Sequence, residues 1–423
     1  MTISLGEGAH RGPGSSAPTA GPAVTSSIPI ALHGTVTLRY DWARFEDQTD
    51  RIQDRGSGGP RNAILGFRAR VRFLAEVGHE DDFISGGIRF TTGQVTNPAA
   101  PFIVFGDAFR AKDFRIDHLY GVIRPIPRYR DRLLLIFGAA PNQFFRGNRG
   151  SFRSELIWDD DISPEGVQIV STFYKSANLK IDNLAGYYIL EDVFNFRFQG
   201  LTGPANLIAD QFRINWKWMS GAVAYYNYEN LNSGLRTPTF SPSGQGIFLT
   251  TGQNAALFRE GLQLTNNHRT YGPGAEGFAN DHMRLFNVIW QGHLPLPNVK
   301  TTAEIHLLVD YSYNFVRGRS NYGRSSQHGY AFTLGITAGD WKGSWLHPFN
   351  LYITYRNVDA DAVLATFADS DLGGGTQYYG IEVSWNYRIT RHLLLNFSAF
   401  RFRGYPNKDV DQSRIYGDVV FDF

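Results

Sequence analysis

Residues 299–315 read VKTTAEIHLLVDYSYNF, and the order of apolar and polar side chains in that stretch decides the fold. Val299, Thr301, Ala303, Ile305, Leu307, Val309, Tyr311, Tyr313 and Phe315 form one phase of a two-residue repeat. Lys300, Thr302, Glu304, His306, Asp310, Ser312 and Asn314 form the other, with Leu308 the one apolar intruder. A strand turns successive side chains to opposite faces, so this pattern predicts a strand with one oily and one wet face. Its length is the informative part. Strands of soluble sheets usually run about five or six residues, whereas about ten residues are needed to cross a bilayer at a tilt. The repeat recurs at Tyr379–Ile389, Phe212–Trp218 and Leu65–Phe73. In each case the apolar phase is large or aromatic and the other phase carries charge. Backbone groups in lipid must be paired internally, so such strands have to close on themselves. The expectation is an all-β protein, a transmembrane antiparallel barrel of about sixteen strands.

Connection lengths test this independently. Short links occur at HEDD, PIPRYRD, KSAN, MSG, LPLPN, DWKGSW and ITR, and they alternate with long ones such as 43–61, 93–111, 141–163, 191–210 and 231–282. Outer-membrane barrels have short periplasmic turns and long extracellular loops. A blade-like repeat, as in a soluble propeller, is not seen. Residues 1–30, rich in Gly, Ser, Pro and Ala, are expected to be a flexible tail without the basic and apolar regions of a signal peptide. Residues 31–423 are then the barrel.

Composition narrows the function classes. The net charge of +2 argues against wholesale nucleic-acid binding. The absence of cysteine excludes disulfides, thiolate metal sites and cysteine nucleophiles. No apolar run approaches the roughly 20 residues of a spanning helix. The 11 histidines form no HExxH or His/Cys cluster, and the glycine runs lack the following helix that a phosphate cradle needs. His306, beside Glu304 and Asp310, reads as an ordinary polar lumen residue in preference to a pH-sensitive patch. No metal, cofactor or catalytic residue is expected, and enzymatic activity is not. Tyr40, Trp42, Trp216, Trp218, Trp290, Trp341, Trp345, Tyr352 and Tyr355 suit the aromatic girdles at the two membrane interfaces.

The strongest acidic cluster is SELIWDDDISPEGV, residues 154–167. A calcium loop starting at Asp159 fails because its sixth position is Pro164 and its twelfth Val170. Counting strands from Ala31 puts the cluster at the end of the third external loop, within residues 141–165. The same count puts Arg68, Arg70 and Arg72 on the second strand, Arg89 on the third and Arg115 on the fourth, all in the lumen phase. Two placements stay open: a loop folded into the pore, or an exposed tip that binds divalent cations bridging lipid A, or nothing.

This topology resembles the general porins, and the resemblance implies that the third loop folds inward and narrows the pore. Its acids, Glu155, Asp159, Asp160, Asp161 and Glu165, would then face the basic wall of Arg68, Arg70, Arg72, Arg89 and Arg115. Opposed charges across a narrow lumen would set up a transverse field that orients polar solutes. The run WDDDISPEGV also resembles a segment of a bacterial "putative porin" family, through Trp158, Asp159, Asp161, Pro164, Glu165 and Gly166. The chain end RIYGDVVFDF resembles the assembly signal of outer-membrane proteins, with Gly417 one position from the usual glycine. These resemblances imply a porin of the bacterial outer membrane, in contact with lipid bilayer and lipopolysaccharide. It would pass small hydrophilic solutes by passive diffusion and assemble as a homotrimer. The alternative is a structural barrel that sheathes an electron-transfer protein or an exported polymer.

Overall fold

The structure, a computed structural model, describes residues 29–47, 61–79, 81–92, 102–104, 114–147, 152–191, 205–231, 282–296, 303–316, 327–339, 348–359, 361–364, 368, 376, 378–404 and 410–423. The strands are β1 (Ile30–Asp47), β2 (Arg61–Val77), β3 (Ile84–Thr92), β4 (Ile103–Val104), β5 (Phe114–Ile123), β6 (Leu133–Ala139), β7 (Glu165–Lys175) and β8 (Leu179–Glu191). They continue as β9 (Ala205–Trp216), β10 (Met219–Glu229), β11 (Met283–Pro295), β12 (Ala303–Asn314), β13 (His328–Ala338), β14 (Phe349–Val358), β15 (Tyr378–Thr390), β16 (Leu393–Gly404) and β17 (Val410–Asp422). Each long strand pairs antiparallel with its chain neighbours, and β17 returns to β1. The sheet is therefore a closed barrel of sixteen strands, which leaves no sheet edge in the membrane. The two-residue β4 is an addition: it pairs with β2 at Arg68 and Ala69, beyond the stretch of β2 that β3 covers.

The alternation read from the sequence becomes inside and outside. On β12, Ile305 and Val309 are exposed on the outer face, while His306, Leu308, Asp310, Ser312 and Asn314 are buried on the inner one. Tyr40, Trp216, Trp218 and Trp290 are exposed, and the girdle reading fits them. Tyr352 is a correction. It lies in the inner phase of β14, against Phe152, because the phase of Thr354 and Arg356 places it there. Trp341 and Trp345 lie outside the described residues, as do residues 1–28 of the expected tail.

The seam between first and last strands is closed by charge as well as by backbone. Arg39 on β1 donates to Asp418 on β17 from Nε at 2.7 Å and from Nη2 at 3.0 Å. In return, Arg414 on β17 donates to Asp41 on β1 at 2.9 and 2.6 Å. At the very end, Gly34 and Phe423 exchange backbone hydrogen bonds at 2.7 and 2.9 Å, so the terminal residue is inside the ladder.

Candidate functional site

Residues 140–147 and 152–164, between β6 and β7, lie against the inside of the barrel wall. The first anchor is Gln211 on β9, whose Oε1 accepts the Phe145 N–H at 2.6 Å while its Nε2 donates to the Phe145 carbonyl at 3.3 Å. A side-chain amide thus replaces a neighbouring strand for that residue. Arg213, one lumen position further along β9, donates to the Gln143 carbonyl at 2.8 Å. On the far side, the Ser154 hydroxyl donates to Asp310 on β12, and Asp310 also accepts from Asn287 at 2.5 Å. Phe152 stacks on His306 with ring centroids 4.4 Å apart.

Packing does the rest. Phe144 and Trp158 stack face to face at 5.6 Å, and both rings meet Tyr226 of β10 edge-on. Leu156, Ile157, Trp158 and Ile162 are buried with the inward-facing Ile136, Val170, Leu184 and Leu207. A second, small cluster joins Phe145 to Ala222, Ile289 and Leu308. The apolar intruder of β12 is therefore the wall's seat for the loop. A second segment, after β14, enters the same space: Asn314 donates to the Asp361 carbonyl at 2.8 Å and Ser312 to that of Ala362 at 3.2 Å.

Gly335 on β13 supplies the room for the loop tip. A Cβ there would lie 2.0 and 2.6 Å from ring carbons of Phe152 and 2.8 Å from the Leu351 carbonyl oxygen. Gly335→Val is expected to drive Phe152 off His306 at a cost of about 1–3 kcal/mol, the usual range for overpacking. Limited proteolysis of the refolded barrel reads this as faster cleavage near Arg153. Cleavage at the wild-type rate would show that the tip does not depend on that contact.

The acidic residues separate into different roles. Asp161 reaches the basic wall: its Oδ1 accepts from Arg72 Nη2 at 2.5 Å and from Arg70 Nη1 at 3.2 Å. Asp159 is buried, and its Oδ1 accepts the Asp161 N–H at 2.8 Å, so it orients the turn that presents Asp161. Asp160 turns back to its own loop, 2.6 Å from Arg146 and 3.7 Å from Arg153. Glu155 lies 3.7 Å from Arg356 on β14, a different part of the wall from β2. Glu165, the first residue of β7, falls in the outward phase with Val167 and Ile169, away from the arginines.

Of the basic residues, Arg70 and Arg72 meet the loop. Arg89 is engaged by Asp117 through contacts of 2.7–3.1 Å. Arg68 lies 3.8 Å from Asp41. Arg115 sits in the combined field of Asp117, Asp161, Arg72 and Arg89. A bulge in β5 makes the Asp117 contact possible: the register against β3 shifts between Arg89 and Phe90, so both Asp117 and His118 turn inward. Sequence reading missed Arg39, Asp41, Arg414 and Asp418, although each sits in the lumen phase of an alternating strand end. It also missed Phe102, whose ring lies 4.2 Å from the Arg39 guanidinium and 4.8 Å from that of Arg70.

Among the described residues no group of three or more His, Cys, Asp or Glu side chains could hold a metal ion. None of the curated proteins matches the chain at a significant level. Solved structures do. OprB of Pseudomonas putida is similar over 93% of this chain and 94% of its own, at 10% identity and a TM-score of 0.51. OmpF of Salmonella typhi, solved in complex with daunomycin, is similar over 93% of this chain and 97% of its own, at 9% identity and a TM-score of 0.50. At such identities the likeness speaks for the barrel fold. The family model described as "Putative porin" matches residues 61–403, which takes in β2 to β16. With the closed sixteen-strand barrel, that match places the chain in the "Putative porin" family of outer-membrane channel proteins.

Proposed function

We propose that the protein is a passive diffusion channel for ions and small polar solutes, with the inward loop and the arginines of β2 lining its narrow part. The observation that carries this is the Asp161 carboxylate, held by Arg70 and Arg72 at 3.2 and 2.5 Å from a loop packed inside a sixteen-strand barrel. Barrels of this size leave an aqueous lumen. Charges lining a narrow part of it act on permeating ions more strongly than they would in open water. The alternative of a sheath around a folded partner needs a cleared lumen, whereas here the segments 140–147, 152–164 and 361–364 occupy part of it. The reading assigns no catalytic step to any residue. Contact with lipopolysaccharide and assembly as a homotrimer belong to the same proposal.

Asp161→Asn keeps the shape of the loop and removes one negative charge. A unit charge about 10 Å from a permeating ion in water is worth about 0.4 kcal/mol before screening. Salt at about 0.1 M screens part of that. The chloride-to-potassium permeability ratio is therefore expected to rise roughly twofold to fourfold. The reversal potential of single channels in a potassium chloride gradient reads it directly. An unchanged reversal potential would remove Asp161 from the lining of the narrow part.

A further inference from the structure

The outer wall carries a recess of about 410 Å³ between β8 and β11, at the end of the barrel where the short turns lie. The two-residue phase puts Ile214 and Trp216 of β9, Met219 and Val223 of β10, and Val288 and Trp290 of β11 on the outside. Every outward side chain that lines the recess is apolar. Two glycines make the space. Gly221 pairs in register with Ile214 on one side and Trp290 on the other, so that row lacks a side chain between two large ones. Gly292 lets the Trp290 indole lie down along its own strand, since a Cβ there would be 2.7 and 2.9 Å from ring carbons of Trp290. On β9 and β10 the lining runs from Phe212 to Val223, on either side of the turn at Lys217 and Trp218. At about 2.5 Å of depth per residue in a tilted strand, the recess reaches about 12 Å up the wall. That is close to one leaflet of a hydrocarbon core about 30 Å thick.

We propose that this recess is a site for an anionic phospholipid, with an acyl chain lying against Gly221 and the phosphate on Lys217. A protein cavity of about 150 Å³ already holds a benzene, so the recess has room for a long stretch of acyl chain. Lys217 sits in the turn between two lining residues, Trp216 and Met219, and is exposed. Its Nζ lies 4.9 Å from the centre of the Trp218 ring, which holds the ammonium at the level of the interfacial tryptophans. In the neighbouring β7–β8 hairpin, Lys175 and Lys180 are engaged by Asp131 and Asp182. No carboxylate among the described residues pairs with Lys217. A cation at headgroup depth beside an apolar slot matches the two halves of an anionic phospholipid. The site rests on the membrane-spanning barrel alone and not on what the lumen passes.

The test is native mass spectrometry of the detergent-refolded barrel, titrated in separate arms with palmitoyl-oleoyl phosphatidylglycerol and palmitoyl-oleoyl phosphatidylcholine. One retained phospholipid per barrel is expected. Phosphatidylglycerol should be favoured about fivefold, the worth of one lysine against an anionic headgroup. Gly221→Leu puts a side chain into the slot and should weaken retention of both lipids by at least about tenfold. Val288→Phe fills the slot from its side, without touching the β10 backbone, and should do the same. Lys217→Gln should erase the preference and leave phosphatidylcholine retention as it was. The heat-modifiable band on gels verifies that each variant is folded, and Lys217→Gln, at an exposed turn, keeps the test open should the filled variants not fold. Wild-type retention in both folded, slot-filling variants would overturn the proposal, as would equal retention of the two lipids by the wild type. A changed subunit number in Gly221→Leu with lipid retention unaltered would also overturn it, and would assign the slot to a contact between copies of the chain.

Discussion

Asp418→Ala is expected to destabilise the folded barrel by about 3–5 kcal/mol, the range for removing one partner of a buried ion pair. Arg39 and Asp418 are 7% and 5% exposed, so little water is at hand to replace the lost carboxylate. The Arg39 guanidinium would keep the rings of Tyr416 at 3.7 Å and Phe102 at 4.2 Å, each of which offers a π-face and no charge in place of the carboxylate. It would also face Arg70, whose charge already acts against its own. The location sharpens the effect, because the pair lies where the first strand, β1, meets the last, β17, and the barrel closes. Asp418→Asn keeps an acceptor and should cost less. The measurement is reversible urea unfolding in lipid vesicles, followed by tryptophan fluorescence. A midpoint equal to that of the wild type in Asp418→Ala would show that backbone pairing alone closes the seam. Because the Arg414–Asp41 pair crosses the same seam, the double variant Asp418→Ala/Asp41→Ala should depart from additivity.

The sequence was easiest to read where one face of a strand meets lipid and the other water. Strand β12 shows this best, and even its exception was informative: Leu308 breaks the polar phase because Phe145 of the loop packs there. The same cause makes β6 hard to read. Its run LLLIFG shows no alternation, since Ile136 points inward into a core shared with Trp158 and Leu156 while Phe137 points outward. Apolar residues on both faces thus mark a wall with a loop packed on its inside. The acids were legible as a group and not one by one. Asp159, Asp160 and Asp161 are adjacent and chemically identical, yet a tight turn sends the first into a backbone hydrogen bond, the second to Arg146 and the third to the wall. Glu165 is separated from them by the start of β7, where the two-residue phase takes over and turns it outward. The pairs at the seam were hidden for another reason: their partners are 373 and 379 positions apart in the chain.

Trp158→Ala is expected to release the inward loop while leaving the barrel intact. Trp158 is 1% exposed, stacks on Phe144 and meets Tyr226, and its carbonyl accepts from Arg146 at 3.1 Å. Truncating a buried tryptophan costs about 3–5 kcal/mol. At a factor of ten per 1.4 kcal/mol, that shifts the docked-to-undocked ratio of the loop by about two to three and a half powers of ten. The sixteen-strand ladder contains no described residue of the loop between Ala140 and Pro164, so the loss falls on docking and not on barrel closure. The polar anchors at Gln211 and Asp310 remain but work without the apolar contact that orders the segment between them. Single-channel recordings should therefore show a second, larger conductance level and more open-channel noise than the wild type, with an unchanged unfolding midpoint. Extracellular protease should also cut the loop in intact cells carrying the variant. Wild-type conductance together with a lowered unfolding midpoint would mean that Trp158 supports the wall itself, and would count against the proposal that the inward loop lines a narrow part of the pore.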